Sequence, residues 1–70
     1  MVKIITEYYN ENEQHTHTSE NVVSLEEFEM VLDNMNLSNK EYGIVDGGKA
    51  LVGGTLHLRN GGWGEVRVEF

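Results

Sequence analysis

Val23-Ser24-Leu25-Glu26-Glu27-Phe28-Glu29-Met30-Val31-Leu32-Asp33-Asn34-Met35 decides the fold, because it is the stretch of the chain with clear helical periodicity. Leu25, Phe28, Val31, Leu32 and Met35 recur at three- and four-residue steps and so fall on one face of a helix. Ser24 stands three residues before Glu27, the spacing of a capping box, in which each side chain reaches the other's backbone N–H. Val23, before the cap, and Phe28, at the fourth helical position, are spaced as a hydrophobic staple. The spacing predicts a helix over Leu25–Met35, stopped by Asn36 in a left-handed conformation with Leu37 folding back over the last turn. Glu26, Glu27, Glu29 and Asp33 lie mostly off the apolar face, so one element carries both the core stripe and the densest negative charge.

Outward from this helix the chain reads as strands. Val2–Tyr9 is rich in β-branched and aromatic residues. Alternation sets Val2, Ile4, Thr6 and Tyr8 inward, and Lys3, Ile5, Glu7 and Tyr9 on the other face, where Ile5 and Tyr9 leave an apolar surface suited to a partner. Asn10-Glu11-Asn12-Glu13 is turn-prone and Gln14–Thr18 alternates, which predicts a hairpin; the alternative is a loop from Asn10 to Asn21. Beyond the helix, Ser38-Asn39-Lys40 reads as a connector, Tyr42–Val45 as a short strand and Asp46–Lys49 as a turn. Ala50–Arg59 reads as a strand broken or bulged at Gly53-Gly54, and Asn60-Gly61-Gly62 as a second turn. Trp63–Phe70 closes the order, with Gly64, Val66, Val68 and Phe70 inward. The expectation is an α+β single domain spanning residues 1–70. Its antiparallel sheet has four or five strands, in the order ββαβββ or βαβββ, with one helix packed on one face.

A 70-residue chain without cysteine has neither a disulfide nor a thiolate-bound metal to reinforce its core. A chain of that size buries only about 60% of its unfolded surface, which makes association a natural source of further burial and favours a homodimer. No apolar run approaches the roughly 20 residues of a membrane span, and the first residues lack the basic-then-apolar layout of a signal peptide. A soluble, cytoplasmic protein is expected.

Twelve acids against five bases give a net charge of −7. The imbalance is local: ten acids stand against Lys3 and Lys40 up to Asp46, whereas beyond it Lys49, Arg59 and Arg67 outnumber Glu65 and Glu69. Such a surface repels nucleic acid and anionic membranes and attracts cationic partners.

Three motifs invite a more specific chemistry. Gly43–Lys49 has the G-x-x-x-x-G-K spacing of a phosphate loop, but Ala50 replaces the magnesium-binding hydroxyl and no helix follows, so a glycine-rich hairpin is expected. His15 and His17 would share one strand face with Glu13, a possible zinc set. No fourth ligand or orienting partner accompanies them, and two exposed histidines are expected. His57 with Thr55, or Glu26 with Glu29, could be drawn as acid–base groups, but so short a chain has little room for a closed pocket, and no enzyme is expected.

What remains is the acidic set. Glu26, Glu27, Glu29 and Asp33 on a rigid helix, joined by Glu7, Glu11 and Glu13, can stand where phosphates would stand against the Arg and Lys of a nucleic-acid-binding protein. In size, acidity and compact α+β plan the chain resembles small acidic phage proteins that disable host machinery by mimicking DNA. These include inhibitors that occupy the DNA-binding surface of the bacterial histone-like protein HU. The resemblance implies a non-catalytic, often dimeric inhibitor with no cofactor, acting in the host cytoplasm on a basic host protein. The rival expectations are an assembly module whose function is a homo-oligomeric interface, and a small metal-binding protein.

Overall fold

The structure, a computed structural model, describes residues 1–70. Its elements run β1 (Val2–Tyr9), β2 (His15–Val23), α1 (Phe28–Asn34), β3 (Ser38–Val45), β4 (Gly48–His57) and β5 (Trp63–Glu69). All five strands form one antiparallel sheet in the order β2-β1-β5-β4-β3, and the helix covers one face. This is the expected ββαβββ arrangement.

Each hairpin has a local cause. At the β1–β2 turn the Asn10 carboxamide oxygen accepts the N–H groups of Asn12 (2.9 Å) and Gln14 (3.0 Å), while Glu13 takes a positive φ of 64°. The side chain of Asn10 thus replaces backbone partners that the turn leaves open. Residues 10–21 are therefore a hairpin and not a loop, and β2 pairs with β1 from His15 to Val23. Between β3 and β4 the two central residues Asp46 (φ 51°) and Gly47 (φ 80°) both have positive φ, the requirement of a two-residue turn that matches strand twist. The G-x-x-x-x-G-K segment is this hairpin.

Two expectations about local structure need correction. The helix begins at Phe28, not Leu25: Leu25–Glu27 form a turn closed by the Glu27 N–H donating to the Ser24 carbonyl at 3.1 Å. The Ser24 hydroxyl donates to the Glu27 carboxylate at 2.7 Å instead of capping the helix backbone. Leu25 is consequently exposed rather than part of the core stripe. Asn36 (φ 53°) does stop the helix in the left-handed region, and Leu37 behind it is buried. The second correction concerns Ser38–Lys40, which belongs to β3. A bulge with Asn39 at φ 49° lets the strand continue from Ser38, opposite Thr55, to Val45.

The core lies between α1 and the sheet. Phe28 and Leu32 from the helix meet Val2, Ile4, Leu37, Ala50, Leu51 and Val66. Ala50 and Leu51 are consecutive and both buried, and both belong to the core cluster. A second bulge, where the register slips between Gly53 and Leu51 opposite Glu41 and Tyr42, reorients β4 there. Pairing of β4 with β5 ends at Gly53 opposite Arg67, so the β3–β4 hairpin overshoots the end of β5 and α1 closes over it. Phe70, expected inward, is exposed, its ring perpendicular to that of Phe28 (centroids 5.5 Å, interplanar 87°).

The opposite face has no covering layer, yet Ile5 on it is buried to 3% exposure. Ile5 lies between Glu20 and Arg67 on the neighbouring strands and between Lys3 and Glu7 on its own. Those four side chains pair diagonally across it, Lys3 with Glu20 (3.7 Å) and Arg67 with Glu7 (3.4 Å). Their aliphatic stems shield the isoleucine while their charges stay in water. The apolar open surface expected from Ile5 is thus closed by ion pairs.

Candidate functional site

Five strands about 4.8 Å apart span about 19 Å, close to the 20 Å second extent of the molecule, so the 39 Å axis runs along the strands. That axis separates the acids. The turn and helix carrying Glu26, Glu27, Glu29 and Asp33 start where β2 ends, at the Val2–Val23 end of the sheet. Glu11 and Glu13 occupy the β1–β2 turn at the other end, where Glu11 lies against Gly61 of the β4–β5 turn. Glu7 points from the uncovered face and is held by Arg67. The seven acids singled out from the sequence therefore form no single array: the four near α1 stay together, and the three near β1 do not join them.

The histidines separate too. His17 lies opposite Tyr8 and stacks on it (4.4 Å, 10°), whereas His15 lies opposite Tyr9 and meets its ring edge-on (5.4 Å, 73°). Tyr8 and Tyr9 are consecutive strand residues and point to opposite faces, so a bulge at Thr16 turns the two imidazoles away from each other. The shared face expected of Glu13, His15 and His17 does not form, and no three His, Asp or Glu side chains gather as a metal-binding group. His57 is exposed and shares a 2.6 Å hydrogen bond with the Ser38 hydroxyl. Tyr9 stacks on Trp63 (5.3 Å, 15°), so His15, Tyr9, Trp63 and His57 make one cross-strand row on the uncovered face.

The feature that strand and helix patterns did not disclose lies at the end where α1 begins. The overshooting β3–β4 hairpin, the turn before α1 and the two chain ends enclose an open groove of about 530 Å³, lined by Met1, Leu25, Ile44, Val45 and Phe70 with Asp46 at its rim. A second hollow of about 320 Å³ continues from it through Leu25 and Asp46 to Glu26, Glu29 and Lys49. Ile44 is 77% exposed and Phe70 65%, values unusual for large apolar side chains in so polar a setting. The sequence held one hint, Tyr42 and Ile44 alternating along a short strand. Their exposure depends on β3 being an edge, which only the strand order establishes.

No protein-family model, no curated protein and no solved structure matches the chain. What this surface can do follows from its own chemistry. Carboxylates that make no ion pair accept hydrogen bonds from Arg and Lys, and an adjoining apolar groove takes up apolar side chains. No helix is long and apolar enough to cross a membrane.

Proposed function

We propose that the protein is a non-enzymatic inhibitor that binds a basic host protein, using acids in the place of nucleic-acid phosphates to occupy a DNA-binding surface. The observation that carries this reading is the lack of internal compensation. Nine of the twelve carboxylates make no ion pair, since only Glu7, Glu20 and Glu69 are engaged by Lys3 or Arg67. Glu26, Glu27, Glu29 and Asp33 are exposed and unpaired, and α1 has no basic residue in its last turn. Placing such charges together costs stability through self-repulsion, and a cationic partner relieves it.

A tagged pull-down from bacterial lysate at low and high salt tests the reading. Recovery at low salt of a nucleic-acid-binding protein, released by added duplex DNA and lost with Glu26/Glu27/Glu29→Gln, is the expected result. Recovery of the chain alone defeats it. The competing reading, a self-assembling module, has the exposed Ile44 and Phe70 in its favour and predicts instead a concentration-dependent mass in sedimentation, indifferent to those three glutamates.

A further inference from the structure

Building on the reading of an acidic, protein-binding surface, we propose that the groove at the start of α1 seats an amphipathic basic helix of the partner. Its apolar stripe enters between Leu25, Ile44 and Phe70, and its lysines or arginines reach Glu26, Glu29 and Asp46. The partner's recognition element is then a basic segment with an apolar side, and charge alone does not define it.

Three observations converge on this occupant. The first is adjacency: the apolar groove and the acid-lined hollow share Leu25, Val45 and Asp46, so apolar and acidic lining stand side by side. The second is charge. Glu26, Glu29 and Asp46 form no ion pair, and Lys49, the cation beside them, lies with its ammonium 5.0 Å over the Tyr42 ring. A second copy docked about a two-fold axis would bring the same carboxylates towards one another, and like charges at an interface select against it. The third is exposure: Ile44 and Phe70, two large apolar side chains lining the groove, are 77% and 65% exposed. Apolar anchors flanked by cations at helical spacing are the pattern that a groove of this composition recognises.

The experiment uses the full chain and a fluorescently labelled 14-residue peptide of leucine and lysine in helical amphipathic order, read by anisotropy at low and moderate salt. A peptide of identical composition in scrambled order, without the apolar stripe, is the control. The patterned peptide is expected to bind about tenfold or more tightly than the scrambled one, the worth of one well-buried leucine. Ile44→Ser and Leu25→Ser should each remove most of that advantage. Glu26→Gln with Glu29→Gln should weaken both peptides and flatten the salt dependence. Both apolar variants replace exposed side chains, and an unchanged urea midpoint verifies that they fold.

Equal affinity for the two peptides overturns the groove as a recognition site while leaving the acidic reading intact. Failure of both peptides to bind at low salt overturns the acidic reading as well. A dimer in sedimentation that Ile44→Ser dissolves assigns the groove to a second copy and also overturns the proposal.

Discussion

Ile4 and Ile5 are neighbours in β1 and almost equally buried, at 1% and 3% exposure, yet they are sheltered by different means. Ile4 faces α1 and belongs to the cluster that Phe28 and Leu32 close. Ile5 faces away from the helix and is covered by the stems of Lys3, Glu7, Glu20 and Arg67, tied in two diagonal ion pairs. One face is sealed by apolar packing against a second layer; the other is sealed by charged side chains that need no second layer. A short chain can thus bury residues on both faces of a single sheet. The difference also explains where apolar surface remains: α1 covers Ala50 and Leu51 of the β3–β4 hairpin, but neither seal reaches Ile44 on its outer strand.

If the two seals differ as described, substitutions beneath them should differ in cost. The largest loss is expected for Leu32→Ala, whose side chain is fully buried: about 3 kcal/mol or more, enough to leave so small a domain largely unfolded, read from the urea midpoint. Ile5→Ala should cost less, about 2 kcal/mol, because flexible side chains above it can settle into the space. Equal losses at the two positions would erase the distinction. Gly54→Ala should cost about 1–2 kcal/mol, since an added Cβ would stand 2.9 Å from the Ser38 carbonyl oxygen and 3.0 Å from the Leu37 Cβ. Gly48→Ala, with its nearest neighbour at 3.9 Å, should be close to neutral. A double-mutant cycle on Arg67 and Glu7 should give a coupling below about 1 kcal/mol, because both side chains remain more than a third exposed. A larger coupling would mean that the charges themselves, and not their stems, hold the cover. An effect as small as that of Gly48→Ala, within about 0.5 kcal/mol, is expected for Ile44→Ser, and it would place the groove outside the folding core.

Much of this architecture can be read in the residues. The alternation of Val2–Tyr9, the turn chemistry at Asn10 and Asp46-Gly47, and the spacing of Phe28 and Leu32 each act over a few neighbours, and each gave an element of the observed type. The helix starts later than its spacing predicts because Ser24 and Glu27 carry a capping signature that their side chains satisfy with each other. His15 and His17 depart from their expected common face because a single bulged residue reverses the facing of everything on one side of it. Of the candidate acids, the four at α1 stay together because local sequence joins them. Glu7, Glu11 and Glu13 are apart from them because strand direction carries them to another face and another end.

By itself, then, the sequence determined the element types, the antiparallel hairpins, the helix stop at Asn36 and the acid-rich first two-thirds of the chain, all consequences of local conformational preference and composition. Only the tertiary structure decided that β3 is an edge, that β4 overshoots β5, and that Leu25, Ile44 and Phe70 meet beside Glu26, Glu29 and Asp46. Those residues come from three separate segments, and their meeting depends on strand order and register, which are set by the whole chain finding one compact arrangement.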